Sequence, residues 1–255
     1  MSVRIDRHDH HIAELVMDRP EAMNAISTDQ AARIAEATAE LAADDTVRVV
    51  LLSSAVAKAF CVGADLKERA GFTEDDFWEQ RRTTSTAYGG VLGLPMPAIA
   101  LVEGHALGGG FELALSCDLI VASPQATFGL PEVGVGVIPG GGGTQLLTRR
   151  LGYNAAADLI LTARRLTAEE AFAAGVVDRL ATDRPARDVA LELAQRIAGH
   201  SPIGTRNAKI AMRHGLDLPL AEGLAIEERA WRTTVSSADR LEGIAAFNEK
   251  RPPNW

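Results

Sequence analysis

The chain has 255 residues, 47% hydrophobic and 24% charged, with a formal net charge of −8. That is a globular composition with length enough for a sizeable buried core. So acidic a chain is poorly suited to sequence-independent nucleic-acid binding, which rests on neutralising phosphates, and it gains no attraction to an anionic lipid surface. An anionic small ligand remains open, because local donors decide that. Cys61 and Cys117 lack a C-x-x-C spacing, so neither a disulfide framework nor a zinc cluster is indicated and a reducing cytoplasm is the expected setting. Residues 1–10 are charged without the apolar stretch of an export signal, and no run reaches the roughly 18 apolar residues of a membrane span.

In chain order, Val3 to Asp18 reads as two short strands, broken by Arg19-Pro20-Glu21. Thr28 is expected to cap an alanine-rich amphipathic helix to about Ala43. Val47 to Leu52 is a β-branched apolar run, the pattern of a buried strand, and a small-residue loop follows from Ala55 to Gly63. Leu66 to Leu92 is expected to be largely helical, interrupted near Gly71. Then come a strand (97–102), a glycine loop (104–110), a helix (111–117), a strand (118–122) and a second glycine loop. That loop, Gly129 to Gly143, holds seven glycines and two prolines, and helix resumes at Thr144. Strand, glycine loop, helix, strand is the grammar of an α/β fold. After Asp183 only helices are expected, over 187–198, 204–213, 219–234 and 238–250. The division drawn is a core over 1–195 and a helical region over 196–255.

Several chemistries find no motif. There is no G-x-G-x-x-G, no G-x-x-x-x-G-K and no G-x-S-x-G. His8, His10 and His11 lie together near the start without acids at ligand spacing, and are read as exposed strand histidines.

Two glutamates stand out. Gly108-Gly109-Gly110 precedes a helix, where free N–H groups and the helix dipole can stabilise an oxyanion. Glu112 falls in the first turn of that helix; taken alone it reads first as an ordinary acid complementing the dipole. Glu132 sits among Phe128, Leu130, Val133, Val135, Val137 and Ile138. A carboxyl group in such company is desolvated and its pKa rises, which suits a general acid; the other reading is a surface loop acid.

These residues resemble the enoyl-CoA hydratase/isomerase (crotonase) family over nearly the whole chain. The resemblance is carried by Arg19-Pro20 through Asn24-Ala25, Ala59 to Glu68, Ala106 to Asp118, Phe128 to Gln145, Ala163 to Val177 and the tail Ala246 to Asn254. It implies a spiral of repeated β-β-α units with a helical C-terminal trimerisation region, assembled as a homotrimer or a homohexamer of paired trimers. Ala64 and Gly109 then look like the oxyanion-hole residues that hold the thioester oxygen through backbone N–H groups. Glutamates at the positions of Glu112 and Glu132 mark the family's hydratases. The implied reaction is reversible addition of water to a 2-enoyl-CoA, with Glu112 as base or orienter of the water and Glu132 as acid toward carbon 2, and with no metal or redox cofactor. The two carboxyl groups are expected to share a proton.

On the same resemblance the CoA contacts are Cys61, Gly63, Ala64, Asp65, Leu66 and Lys67 on one wall, Ala22 and Ala25 on the other, with Gly108, Gly109 and Pro131 along the channel. Lys67 is also readable as a solvated helix residue. The packing of Trp78 and Tyr88 is expected to set the depth of the acyl pocket. Phe247 and Trp255 are candidate interface anchors or, equally, intrachain anchors. Phe60 to Arg69 and Ile138 to Gln145 look particularly like methylglutaconyl-CoA hydratases. Some members of that branch bind RNA through a basic helix; the helix at 29–43 has one arginine, no lysine and two glutamates, which argues against it. The other readings are a double-bond isomerase, and a noncatalytic RNA-binding or assembly protein of the same fold.

Overall fold

A computed structural model describes residues 2–255. Strands β1 (Val3–His8) and β2 (Ile12–Met17) form a hairpin, followed by helix α1 (Thr28–Ala43). Three similar turns of chain come next. The first is β3 (Val49–Ser54), β4 (Ala59–Cys61), and helices α2 (Leu66–Arg69) and α3 (Glu74–Leu92). The second is β5 (Ala98–Val102), β6 (His105–Leu107) and α4 (Gly109–Ser116). The third is β7 (Leu119–Ala122), β8 (Thr127–Gly129), a single 3-10 turn at Glu132–Val135, and α5 (Gly143–Leu151) with α6 (Tyr153–Thr162). Strand β9 (Arg165–Thr167), α7 (Ala168–Ala173) and β10 (Arg179–Leu180) complete the α/β part, and α8 (Ala186–Ala198), α9 (Pro202–Gly215), α10 (Leu220–Val235) and α11 (Ala238–Glu249) follow.

In each turn the first strand enters one sheet and the second strand another. The larger sheet runs β1-β2-β3-β5-β7-β10, parallel except for the β1-β2 pair. The smaller runs β4-β6-β8-β9, with only β8-β9 antiparallel. This is the β-β-α spiral. Parallel strands covered on both faces are apolar throughout, and β3 and β5 are almost wholly buried. One face of the larger sheet carries Val50, Leu52, Ala98 and Ala100 into the main core with Phe60, Phe111 and Phe128. The other face, with Val49, Leu51, Ile99 and Leu101, is covered by α8 through Ala186, Ala190, Ala194 and Ala198. Alanines at i, i+4 form one stripe and let that helix lie close to the strands. The division drawn at residue 195 therefore falls inside a helix that packs on the sheet.

Several expectations are corrected. Ser27, not Thr28, caps α1: its side chain accepts from the Gln30 N–H. The smaller sheet replaces what the sequence presents as loop, because its strands are three residues each and too short to show alternation. The histidines are not a row of exposed strand residues. His8 hydrogen-bonds through Nε2 to Glu14 at 2.7 Å, and His10 and His11 make the β1-β2 turn with φ of 64° and 62°. Glu14 is buried and also accepts from both Nη atoms of Arg187, at 3.0 and 2.8 Å, which ties α8 to β2.

Helix α9 is fastened to the core by a buried ammonium group, that of Lys209. Lys209 on α9 donates to the Met96 carbonyl at 2.8 Å and to Asp118 at 2.7 Å, and Arg213 reaches Asp118 at 2.9 Å. Trp255 is an intrachain anchor: its indole N–H donates to the Gly199 carbonyl at 2.8 Å, and its own carbonyl accepts from Arg48. Phe247, by contrast, is 85% exposed. No helix among the described residues is long and apolar enough to cross a membrane.

Candidate active site

The second strand of each turn ends at the same place in the fold, and the loops leaving those strand ends build the site. After β4, Gly63 takes φ of 94°, a conformation open to glycine at no steric cost. A side chain there would lie 3.0 Å from the Leu107 carbonyl and 3.3 Å from the Gly109 nitrogen, so the loop after β4 rests directly on the loop after β6. Ile26 grips Gly63 and Asp65 on either side, donating to the Gly63 carbonyl at 2.7 Å and accepting from the Asp65 N–H at 3.0 Å. The Ala64 N–H between them donates to no described backbone carbonyl. Gly109 opens α4, where an N–H has no intrahelical partner. Two free donors from neighbouring loops are thus held together.

Gly108, with φ of 52°, turns the chain into α4, and a Cβ there would stand 3.0 Å from Glu132 Oε1. Every residue of α4 is buried, and Gly110 presses its backbone onto that of Cys61, leaving no room for a side chain. Glu112, 3% exposed, points into this site. Its Oε1 accepts from the Gly141 N–H at 2.7 Å and the Gly143 N–H at 2.8 Å. Burial raises its pKa; those two N–H groups and the attraction of Arg81 work the other way without cancelling it. Glu132 opens the 3-10 turn after β8. Its carboxyl is pushed up from 4.5 to about 7, first by burial and further by the charge of Glu112, while a backbone hydrogen bond opposes. Its Oε2 is buried without a partner. One carboxyl is held toward the ionised form by two donors, and the other is left dry and ready to carry a proton.

In the expected ligand wall, Ala22, Ala25 and the 64–67 stretch face one another across the Ile26–Ala64 bridge. Leu66 is 59% exposed and Lys67 is exposed. Cys61 and Asp65 do not offer free side chains. Cys61 is fully buried, with its thiol pushed up to about 12 by burial. Asp65 is committed to Arg19 at 2.7 Å and to the N–H groups of Lys67 and Glu68 at the start of α2. Pro131 immediately precedes Glu132 and stands at the entry of the 3-10 turn. Trp78 is 59% exposed and its indole N–H donates to Glu74.

Tyr88 is at the centre: a side chain on Gly109 would overlap its hydroxyl, and one on Gly141 would come within 2.7 Å of its Cζ. Sequence reasoning missed three organising features. Arg19 joins the two ligand walls, donating to the Ala25 carbonyl at 2.8 Å as well as pairing with Asp65. Asn24, wholly buried at φ of 57°, donates to Ser54 Oγ and the Phe60 carbonyl and accepts from the Arg19 N–H. A polar residue between apolar neighbours after a proline turn was the available signal. Gly141 and Gly143 supply the Glu112 donors, a role hidden by their place in a run of four glycines.

The enoyl-CoA hydratase/isomerase family model matches residues 7–255. The chain is 41% identical over 251 residues to the human mitochondrial enoyl-CoA hydratase domain-containing protein 2, covering 97% of this chain and 86% of that one. It is 39% identical over 255 residues to the mouse mitochondrial methylglutaconyl-CoA hydratase, covering 98% and 81%. The crystal structure of an enoyl-CoA hydratase from Bacillus anthracis superposes with a TM-score of 0.97 at 38% identity, covering 100% of this chain and 99% of that one. With the spiral fold and the paired glutamates in place, these likenesses make the chain a member of the enoyl-CoA hydratase/isomerase family.

Proposed function

We propose that the protein adds water reversibly to a 2-enoyl-CoA, giving a 3-hydroxyacyl-CoA. One observation carries this reading: Glu112 and Glu132 converge on the place where the Ala64 and Gly109 N–H groups are free. Those donors would take the thioester oxygen as it gains charge, each contributing roughly 3 kcal/mol to lowering the barrier. Polarising that carbonyl makes carbon 3 electrophilic. Glu112, ionised, accepts the proton of the attacking water, and Glu132, protonated, delivers one to carbon 2. The reaction neither oxidises nor reduces, so the proposed chemistry calls on no redox cofactor, and the four groups supply its acid, base and oxyanion functions without a metal. CoA would lie between Ala22/Ala25 and Leu66/Lys67.

Assembly into trimers, or hexamers of paired trimers, belongs to the same proposal. It is supported by large apolar side chains left open on the last helices: Met212 69%, Leu220 78% and Trp231 58% exposed. The test of activity is product analysis with crotonyl-CoA, in the absence of added metal or nucleotide. A 3-hydroxyacyl-CoA supports hydration. A shifted enoyl-CoA would replace it with isomerisation, and no reaction would leave a noncatalytic member of the family.

A further inference from the structure

Helix α2 carries Leu66 and Lys67, and apolar packing does not hold it in place: none of its four residues is buried. Residues 73–79, which lead into and open α3, are all exposed. The first buried residue of α3 is Gln80, and it heads a stripe continued by Thr84, Ala87 and Val91. Such a stripe normally packs through apolar side chains. A buried primary amide there is costly unless its polar groups are met.

They are met, and from different elements. The side-chain oxygen of Gln80 accepts from Arg69 Nε at 2.7 Å. Its NH2 group donates to Glu68 Oε2 at 2.9 Å and to Thr28 Oγ1 at 3.0 Å. Glu68 Oε2 in turn accepts from the Thr28 N–H at 3.0 Å, in the first turn of α1. An arginine only donates and a carboxylate only accepts, so one orientation of the amide fits, and neither an ionised glutamate nor a methionine of similar length supplies both roles. One side chain thus joins α1, α2 and α3. The Ala64 donor does not depend on it, because Ile26 holds Gly63 and Asp65 on either side of that residue.

We propose that Gln80 is a positioning residue for the ligand: its amide fixes α2, and so the Leu66/Lys67 wall against which CoA would lie, without touching the reacting atoms. The inference rests on the acyl-CoA reading above and adds the residue that sets its CoA wall. Ala64 is clamped by Ile26, and Glu112 by the Gly141 and Gly143 N–H groups. Loss of the Gln80 amide therefore weakens binding and leaves the chemical step in place, so KM rises with kcat kept.

Three variants test this. Gln80→Met keeps the length and removes all three hydrogen bonds. Gln80→Glu keeps an acceptor for Arg69 and sets a carboxylate against Glu68. Gln80→Glu combined with Glu68→Gln exchanges the two groups: the amide now at position 68 accepts from the Thr28 N–H and donates to the carboxylate at position 80, which still accepts from Arg69. Calorimetry with butyryl-CoA, a saturated and unreactive thioester, should show each single variant binding about tenfold more weakly and the exchange variant recovering most of the loss. The crotonyl-CoA KM should follow the same order with kcat within about twofold of wild type. Without ligand, amide hydrogen exchange over residues 66–70 should quicken in the single variants and slow again in the exchange variant. Wild-type affinity in the single variants overturns the proposal, and so does a fall in kcat at unchanged KM. A lowered melting temperature with binding intact would make Gln80 merely structural and overturn it too. The exchange variant keeps the charges of wild type and decides the matter should a single variant not fold; binding no better than wild type lacking the amide refutes the joint. Butyryl-CoA binding that depends on Gln80 without hydration of crotonyl-CoA would remove the hydratase reading and leave the positioning role standing. Hydration with the Gln80 variants binding as wild type would do the reverse.

Discussion

At the scale of single residues, Glu132 is the group with the most to reveal. Its carboxyl is raised from 4.5 to about 7 because it is dry and lies near Glu112. Between those values the folded chain holds a proton that the unfolded chain releases, so stability falls as pH rises through that window. Glu132→Gln removes the dependence. Its melting temperature should match wild type near pH 4.5 and exceed it at about pH 8, and a constant difference across the range would contradict the burial argument. Hydration needs the protonated acid, so kcat/KM in that direction should decline above about pH 7. Glu112→Gln and Glu132→Gln should each lower turnover by roughly a hundredfold or more, with the double variant far from additive. Near-normal turnover of either folded variant would take that residue out of the chemistry. Both glutamates and the glycine triplet were legible in the sequence because their residue types are unusual in their company. Tyr88 was expected at the acyl pocket and stands against Gly109 and Gly141; Arg81 was not singled out, since an arginine on an amphipathic helix has no local pattern to set it apart.

At the scale of elements, α4 is the part with least freedom. It is buried over its whole length, and Gly110 touches the Cys61 backbone. Gly110→Ala must push the helix off β4, at a cost of about 1–3 kcal/mol or more, and carries Glu112 away from the Gly141 and Gly143 N–H groups. Thermal unfolding and turnover should therefore fall together; an unshifted melting temperature would mean that the contact can relax. The central strands of the larger sheet could be read from composition, because burial on both faces writes a continuous apolar run such as Val49–Leu52, whereas its two-residue edge strand Arg179–Leu180 could not. The smaller sheet could not. Ala59–Cys61, His105–Leu107 and Thr127–Gly129 are each paired across long sequence distances, and three residues carry no period of their own. Helix ends were placed to within a residue or two even where the marking residue was misread: Thr28 was taken for the cap that is Ser27, and α9, expected from Gly204, begins at Pro202.

For the whole molecule, the open apolar side chains on α9–α11 are expected to be covered by other copies of the chain. Light scattering at micromolar concentration should give the mass of a trimer or hexamer. Met212→Glu with Leu216→Glu, two exposed residues one turn apart at the end of α9, should shift that mass downward. A wild-type monomer would refute the assembly. The spiral itself has a further consequence. The first turn supplies the Ala64 donor, the second Gly109 and Glu112, and the third Glu132, Gly141 and Gly143. Adjacent turns meet backbone to backbone at Gly63 and Gly110. The spacing between reacting groups is thus the pitch of a screw, fixed by where side chains are missing. Such a screw can be lengthened at either end, or dressed on its outside, with no effect on its thread. A single extra methyl between two turns strips it.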